Sequence, residues 1–237
     1  MSIIKYILWW IYPKRCSVCN KIIDRHSLIC DNCSKHIEYA EKFCIKCGAV
    51  RDECRCRYNV YRFIGCVAPF KIGKYSVQAV YNLKFRSNIE GAEFLSENML
   101  KSIKKYYDIS QIDAVTAVPM DRLKQFKRGF NQSELLAKHI ARVLGLEYIK
   151  LLYKCKGNKV QHTLKRAERF DNVKGVYSAK TTNGIKTVLL VDDIITTGAT
   201  LNECTKALML SGVNNIYCAV AVTNSGLKKM GEGNEDK

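Results

Sequence analysis

The sequence has no hydrophobic run long enough to span a membrane. Its N-terminal apolar stretch, Ile3 to Tyr12, is interrupted by Lys5 and is far shorter than the roughly 20 residues that a spanning helix needs. No basic segment precedes the stretch, and Pro13-Lys14-Arg15 follows it in place of a small-residue cleavage site. A secretory signal normally has both features. We therefore expect a cytoplasmic protein in which this stretch docks on the rest of the chain.

Acidic residues are also scarce. The chain has 39 Lys and Arg against 22 Asp and Glu, which gives a formal net charge of +17. The excess lies on both sides of Cys66, with 12 basic and 6 acidic residues through Cys66 and 27 and 16 beyond it. Such a surface favours a polyanionic partner or a phosphorylated substrate, although charge alone is equally compatible with ordinary solvation. Because 47% of the residues are hydrophobic, we expect a globular protein.

Cysteine is abundant but unevenly placed, since nine of the twelve lie in the first 66 residues. In a reducing cytoplasm, closely paired cysteines bind metal more often than they form disulfides. We expect a double zinc-ribbon-like domain over residues 1–58, a larger domain over 59–225 and a disordered polar tail over 226–237. The scattered cysteines mostly fit buried, inert thiols; they are Cys66, Cys155, Cys204 and Cys218.

Eight cysteines form four close pairs with the spacing of zinc ligands. Cys16-Ser-Val-Cys19, Cys30-Asp-Asn-Cys33 and Cys44-Ile-Lys-Cys47 are C-x-x-C turns, each of which can present two thiolates to one tetrahedral ion. Cys54-Arg-Cys56 is a tighter C-x-C turn, so the sequence predicts one or two structural zinc ions. The spacing leaves open whether the pairs combine consecutively or interleave. It also leaves open whether His26 or His36 replaces a thiolate.

Beyond the cysteines, short β-branched runs alternate with amphipathic helical patterns. RFIGCVAPF, DAVTAVP, LEYIKLL, KTVLLVD and IYCAVAV have the composition of buried strands. SVQAVYNLKF, EFLSENMLKSIKKYY and NQSELLAKHIARVLG have helical periodicity, and the last has capping candidates in Asn131, Ser133 and Gly145. This alternation predicts an α/β domain with an open, mostly parallel sheet covered by helices on both faces. Such sheets bind ligands where the carboxyl ends of strands lead into helices.

The segment VLLVDDIITTGATL, residues 188–201, would place a ligand loop at that edge. We expect the strand to end after Val191 and the chain to turn into a helix through Thr196, Thr197, Gly198, Ala199 and Thr200. Small residues and hydroxyl groups at a helix start suit a phosphate. Asp192 and Asp193 would repel a phosphate, so we expect them to meet hydroxyl groups or a metal ion. A ribose 5-phosphate suits both parts of the segment, with its phosphate on the turn and its hydroxyl groups on the carboxylates. The alternative is an ordinary capped strand-to-helix turn without a ligand.

The hydrophobic run, Asp-Asp, two apolar residues and Thr-Thr-Gly-Ala-Thr resemble the phosphoribosyl pyrophosphate signature of type I phosphoribosyltransferases. The resemblance implies a type I phosphoribosyltransferase-like sheet with the 5-phosphate on the 196–200 loop. Asp192 and Asp193 would be the catalytic residues and hold the ribose hydroxyls, and Mg²⁺ would bind with the substrate. The basic segment after Val118-Pro119 would be the pyrophosphate loop.

Together with the four cysteine pairs, KRGFNQSELLA resembles the ComF family, phosphoribosyltransferase-like proteins linked to competence for DNA uptake. The resemblance covers nearly the whole chain. It implies that three cations bind the ligand: Lys84 in YNLKFR, Arg128 in the pyrophosphate loop and Arg169 in the polar segment 154–177, which would cover the substrate. The C-x-C turn, and Met120-Asp121 in place of a Leu-His pair, depart from the family pattern.

Two functions follow from this resemblance. The first is a phosphoribosyltransferase that binds phosphoribosyl pyrophosphate and Mg²⁺ in natural competence, with an acceptor that the sequence does not identify. The alternative is a non-catalytic protein of the DNA-uptake machinery, either a single-stranded DNA-binding module or a scaffold, in which the phosphoribosyl site senses a ligand. Single-stranded DNA and a competence helicase are the expected partners.

Overall fold

A sheet of six parallel strands forms the centre of the computed structural model, which describes residues 13–41, 43–51, 54, 56–57, 60–85, 89–155, 175–182 and 184–223. The strands are β1 (Gly65–Val67), β2 (Phe70–Lys71), β3 (Ala114–Ala117), β4 (Glu147–Tyr148), β5 (Leu152–Lys154), β6 (Tyr177–Ala179), β7 (Thr187–Ile195) and β8 (Asn215–Thr223). The sheet has the order β1-β8-β7-β3-β4, and β2 pairs farther along β8. A separate antiparallel pair consists of β5 and β6.

Six α-helices connect or precede these strands in the described residues. They are α1 (Asp31–His36), α2 (Lys74–Phe85), α3 (Ile89–Tyr106), α4 (Arg122–Arg128), α5 (Gln132–Leu144) and α6 (Ala199–Leu210). The caps predicted for α5 are confirmed, because the Asn131 side chain accepts a hydrogen bond from Ser133 N and Gly145 ends the helix at φ 70°. None of the helices in the described ranges is long and apolar enough to cross a membrane.

Alternate residues of the central strand β7 face two different cores. Leu189 and Val191 pack in a cluster with buried residues of α2, α3 and α5, whereas Val188 and Leu190 pack with residues of α6. The continuous apolar run at residues 188–191 is what a sheet covered on both faces requires. The predicted α/β fold class, an open parallel sheet with helices on both faces, is therefore confirmed.

Two local predictions are wrong. The strand that was expected to end after Val191 continues to Ile195, because it keeps pairing with β8 as far as Thr223. The segment 62–70 contains two short strands rather than one, and the break includes Pro69, which has no N–H to donate. The basic segment after Pro119, for which a pyrophosphate loop stays a prediction, contains the helix α4, and amides of its first turn donate to the Asp121 carboxylate.

The cysteine-rich segment contacts the sheet domain directly. Tyr39 forms an antiparallel bridge with Phe70, and Lys71 N donates to Glu38 O at 3.0 Å. Ala40 N donates to Pro69 O at 2.8 Å, so the carbonyl at the break between β1 and β2 is satisfied by the cysteine-rich segment. The stretch Ile3 to Tyr12 and the tail 226–237 lie outside the described residues.

Candidate functional site

The eight paired cysteines form two separate quartets of sulfur atoms. Within each quartet the four Sγ atoms lie within 4.8 Å of one another, and the pairs combine consecutively along the chain. The first quartet consists of Cys16, Cys19, Cys30 and Cys33, and the second of Cys44, Cys47, Cys54 and Cys56. Neither His26 nor His36 belongs to a group of this kind among the described residues. Thus the C-x-C pair does complete a second quartet.

The sulfur spacing fits a tetrahedral zinc ion. A Zn–S bond of about 2.3 Å gives a tetrahedral edge of about 3.8 Å. Sγ atoms from the two halves of each quartet lie at that separation: Cys19 and Cys30 are 3.7 Å apart, Cys44 and Cys56 are 3.8 Å apart, and Cys47 and Cys54 are 3.9 Å apart. Four thiolates are the donor set of structural zinc sites. Structural zinc is therefore supported by the geometry as well as by the sequence.

The first cysteine pair of each quartet lies in a tight turn, and the two turns have the same backbone structure. We call them the first knuckle (Cys16–Cys19) and the second knuckle (Cys44–Cys47). In the first knuckle Asn20 N donates to Cys16 O at 2.9 Å, and in the second Gly48 N donates to Cys44 O at 2.7 Å. The residue after each knuckle has a left-handed backbone, with φ 64° at Asn20 and 73° at Gly48. Short antiparallel bridges, Arg15 to Ile22 and Phe43 to Val50, close the two turns.

The single cysteines are of two kinds. Cys66, Cys204 and Cys218 are buried, and burial raises the pKa of each thiol. Cys155 is exposed, and its Sγ lies 2.8 Å from Ser178 Oγ. The prediction that most of the scattered cysteines are buried is confirmed, since three of the four are.

A cleft of about 1020 Å³ lies at the carboxyl edge of the sheet, where β3 and β7 end. Its volume is at the upper end of the range that small-molecule sites occupy. The cleft brings together parts of the chain that the sequence predicted separately: the Asp192-Asp193 doublet, Thr200 in the first turn of α6, and Lys84 and Arg128. Asp121, Lys124, Lys127, Gln132, Ser133 and Lys154 also line it.

The carboxylate doublet is held by side chains from two helices. Lys84 of α2 forms an ion pair with Asp193, with Nζ 2.7 Å from Oδ2. Gln132 Nε2 of α5 donates to the same oxygen at 3.3 Å, and Ser133 Oγ donates to Asp192 Oδ1 at 2.8 Å. Sequence patterns did not identify Gln132 or Ser133 as site residues, because both fit the first turn of a helix equally well.

Burial makes the doublet receptive to hydroxyl donors or a cation. Desolvation, and then the neighbouring Asp193 carboxylate, raise the pKa of Asp192 to about 7, although hydrogen bonds and Lys84 oppose the shift. Beside the doublet, Gln132 is 4% exposed and its Oε1 has no hydrogen-bond partner among the described residues. Carboxylate and amide oxygens are the donors that Mg²⁺ prefers. The donor set therefore fits both a magnesium ion and sugar hydroxyls.

The lining of the cleft carries more positive than negative charge. Five cations, Lys84, Lys124, Lys127, Arg128 and Lys154, line it together with three acidic residues, Asp121, Asp192 and Asp193. Lys84 is already paired with Asp193, and the Asp121 carboxylate accepts from Leu123 N and Lys124 N at the start of α4. Burial lowers the pKa of Lys154. Cations in such a lining can stabilise a polyphosphate.

Some polar groups of the predicted phosphate loop already form hydrogen bonds within the protein. Thr197 Oγ1 accepts from Ala199 N at 3.3 Å, and Thr197 O accepts from the Tyr61 hydroxyl at 3.3 Å. Gly198 precedes α6 with φ 78°, and a Cβ there would lie 2.7 Å from Tyr61 Cε1. Thr196 is exposed, whereas Thr200 faces the cleft. Arg169, like the rest of 156–174, lies outside the described residues.

Two family models match the chain. A double zinc ribbon domain matches residues 7–59, which include both cysteine quartets. A phosphoribosyl transferase domain matches residues 131–236, which include α5, β7 and the loop before α6. The fold and the site thus define a phosphoribosyltransferase-like protein with an N-terminal double zinc ribbon.

Similar proteins of known name indicate which family of phosphoribosyltransferase-like proteins the chain resembles. Competence protein F of Haemophilus influenzae is 28% identical over 209 residues, covering 85% of this chain and 86% of the relative. DNA utilization protein YhgH of Escherichia coli is 23% identical over 201 residues, covering 83% and 85%. Competence protein ComFC of Streptococcus pneumoniae is 33% identical over 125 residues, covering 53% and 51%. Together with the two domain matches, these relatives support a ComF-family protein.

Solved phosphoribosyltransferase structures resemble part of the chain. Glutamine phosphoribosylpyrophosphate amidotransferase from Bacillus subtilis is 19% identical, covers 69% of this chain and 32% of its own, and has a TM-score of 0.39. Adenine phosphoribosyltransferase from Saccharomyces cerevisiae is 16% identical, covers 61% of this chain and 73% of its own, and has a TM-score of 0.35.

Proposed function

We propose that the cleft binds phosphoribosyl pyrophosphate with Mg²⁺ and that the protein transfers the phosphoribosyl group to an acceptor during DNA uptake. One observation carries the proposal: the carboxylate doublet shares a single cleft with Thr200 and five cations. A phosphorylated sugar with a pyrophosphate offers hydroxyl groups to the carboxylates and phosphate oxygens to the cations. The family names of the relatives, which refer to competence and DNA utilization, support the biological setting.

Different residues of the cleft bind different parts of the proposed ligand. Asp192 and Asp193 accept hydrogen bonds from the ribose hydroxyls, and Gln132 Oε1 offers a further acceptor beside them. The amides and hydroxyls of the loop before α6 bind the 5-phosphate, where the helix dipole favours negative charge. Arg128, Lys124 and Lys127 line the cleft and would contact the pyrophosphate. Lys84 offsets the charge of Asp193.

The transfer breaks the bond between C1 of the ribose and the pyrophosphate oxygen and forms a bond from C1 to the acceptor. The electron pair leaves with the pyrophosphate, so positive charge develops on the ribose ring while negative charge grows on the leaving group. Cations fixed beside the leaving group lower the energy of that separated charge. Bound Mg²⁺, held by Asp192 and Asp193, would supply further charge compensation. Exclusion of water protects the activated sugar from hydrolysis.

Ligand-dependent thermal stability tests the binding step. We expect phosphoribosyl pyrophosphate with Mg²⁺ to raise the melting temperature, because a ligand that binds only the folded state stabilises it. Replacing both Asp192 and Asp193 with Ala should abolish the increase. Asp113→Asn is a matched control, because Asp113 accepts from Lys186 N and Thr187 N at the start of β7, the opposite end of the strand. A shift that persists in the double variant would contradict the proposed site.

A second function, binding of single-stranded nucleic acid, is favoured by the surface of α4. Phe126 is 89% exposed and Leu123 is 74% exposed, and they are three residues apart, which places them on one helix face. Lys124 and Lys127 lie within the same helix. An exposed aromatic ring among cations is the arrangement on which bases stack while the phosphates meet positive charge. Lys124 and Lys127 also line the cleft, so DNA on this surface would share α4 with the ligand site.

Fluorescence anisotropy with a labelled oligo-dT measures this second function. Phe126→Ala should weaken binding about tenfold, since one base stacked on an aromatic ring contributes roughly 1–3 kcal/mol. Leu210→Ala is the control, because Leu210 is an apolar residue with 81% exposure at the end of α6. Equal affinity of the Phe126→Ala variant and the wild-type protein would exclude α4 as the binding surface.

A further inference from the structure

A buried amide joins the first knuckle to the helix that carries Lys84. The Asn82 side chain of α2 donates from Nδ2 to Ser17 O at 3.1 Å and to Val18 O at 2.7 Å. Ser17 and Val18 are the two residues between Cys16 and Cys19, so both acceptor carbonyls belong to the zinc-binding turn itself. The contact therefore runs from a metal site in one domain to a helix in the other.

Asn82 is placed where it can control the position of Lys84. It is 1% exposed, and its Oδ1 accepts from Gln78 Nε2 at 2.9 Å, so its amide orientation is fixed on both sides. Lys84 follows two residues later in the last turn of α2. From there its ammonium group reaches Asp193.

Apolar packing alone would not fix α2 along its own axis. Ala79, Val80 and Leu83 of α2 are buried in the same cluster as Val18 of the knuckle. Such contacts are non-directional and tolerate small slides, whereas hydrogen bonds weaken steeply as their length and angle change. The two bonds from Asn82 therefore define the register of α2 against the knuckle. The knuckle in turn keeps its shape because its cysteines share a metal ion.

We propose that Asn82 is a positioning residue that transmits the order of the zinc-loaded first knuckle to Lys84, so that zinc in the first quartet sets the affinity of the cleft for phosphoribosyl pyrophosphate. The ligand in this statement rests on the proposed function; the coupling between the knuckle and Lys84 does not. When the knuckle loses its metal or Asn82 loses its amide, α2 shifts and the Lys84 ammonium leaves Asp193. Two adjacent carboxylates then remain without their cation, and the cleft binds an anionic ligand less tightly.

Chemical labelling of lysines tests the coupling without any ligand. The full-length, zinc-loaded protein is acetylated briefly with an N-hydroxysuccinimide ester, and the modification of Lys84 is measured by mass spectrometry relative to the exposed Lys101. We expect Lys84, which is paired and 26% exposed, to react at least threefold faster in Asn82→Ala than in wild type. Zinc content is measured on the same samples. A faster labelling of Lys84 is attributed to the lost Asn82 amide only where the variant and the wild type hold the same amount of zinc.

Asn98→Ala is the matched control for this experiment. Asn98 is also a buried asparagine, but its Nδ2 donates to Phe94 O within α3 and not to a knuckle. It should leave the Lys84 labelling rate unchanged. Asn82→Asp keeps the side-chain volume and the acceptor for Gln78 but cannot donate to the knuckle. It replaces Asn82→Ala if the alanine variant does not fold, and it should show the same faster labelling.

A double-mutant cycle measures the effect on the ligand. Lys84→Ala and Asn82→Ala should each weaken binding of phosphoribosyl pyrophosphate with Mg²⁺ roughly tenfold, and the double variant should be no weaker than Lys84→Ala alone. Fully additive losses would overturn the proposal, as would unchanged labelling of Lys84 in the Asn82 variants. If wild type binds no phosphoribosyl pyrophosphate while the labelling rate still rises, the proposed function fails and the coupling stands.

Discussion

The two knuckles have the same backbone turn but hold different parts of the sheet domain. In the first, the carbonyls of Ser17 and Val18 accept from a side chain of α2. In the second, the equivalent residues are Ile45 and Lys46. Ile45 O accepts from Cys66 N of β1 at 2.7 Å, and the Lys46 ammonium donates to Phe63 O.

These attachments lead to two different parts of the candidate site. The first knuckle holds the helix that carries Lys84, which pairs with the carboxylate doublet. The second holds the segment 61–63, where the Tyr61 hydroxyl donates to Thr197 O and Arg62 N donates to Asn202 Oδ1. Thus the first knuckle contacts the helix that carries Lys84, and the second holds the segment that contacts the predicted phosphate loop. Both ribbons are therefore built into the surroundings of the candidate site and are more than a separate appended module.

Loss of one cysteine gives the largest expected effect and tests whether the two quartets are independent. We predict that Cys16→Ser and Cys44→Ser each reduce zinc content from two ions per chain to one, because serine keeps the shape of cysteine but is a poor zinc ligand. Metal binding supplies much of the folding free energy of such turns. Colorimetric zinc determination after unfolding in denaturant measures the content. Loss of both ions in either variant would show that the quartets fold as one unit.

The next prediction concerns the predicted phosphate loop, which contacts the segment that the second knuckle holds. Gly198→Ala should lower the free energy of unfolding by about 2–4 kcal/mol, because a non-glycine residue at positive φ costs roughly 1–2 kcal/mol and its Cβ would lie 2.7 Å from Tyr61 Cε1. Urea unfolding measures the change. In a Tyr61→Ala background the same substitution should retain only the backbone cost, about 1–2 kcal/mol. An undiminished cost there would show that Tyr61 does not cover the loop.

Sequence patterns were most informative where local chemistry decides the structure. The caps of α5 at Asn131 and Gly145, the alternation of strands and helices, and the cysteine pairs all depend on neighbouring residues. The pairing of the cysteines was not predictable, because the spacing permits two arrangements and only the folded chain selects one. For the same reason, the extension of β7 to Ile195 depends on its partner β8, which is distant in sequence.

The candidate site was predictable in its central part but not in its supports. The order Asp-Asp followed by a threonine-rich turn identified the doublet and the loop. Ser133 and Gln132 contact the doublet only because α5 begins beside the end of β7, which is a tertiary feature. From the sequence, Asn82 is expected to be an ordinary polar residue of a helix, and no local pattern distinguishes it from other such residues. Contacts between domains leave no periodic signal in a sequence.

The smallest expected effect comes from exchanging the residues that follow the two knuckles. Both Asn20 and Gly48 have positive φ, a conformation that asparagine tolerates better than most residues. Gly48→Asn should nevertheless cost about 1–2 kcal/mol, because a Cβ there would lie 3.0 Å from the buried Cys66 Sγ. Asn20→Gly should change stability by less than about 0.5 kcal/mol. Paired urea-unfolding curves measure both, and equal effects would mean that the second knuckle is packed no more tightly against the sheet than the first.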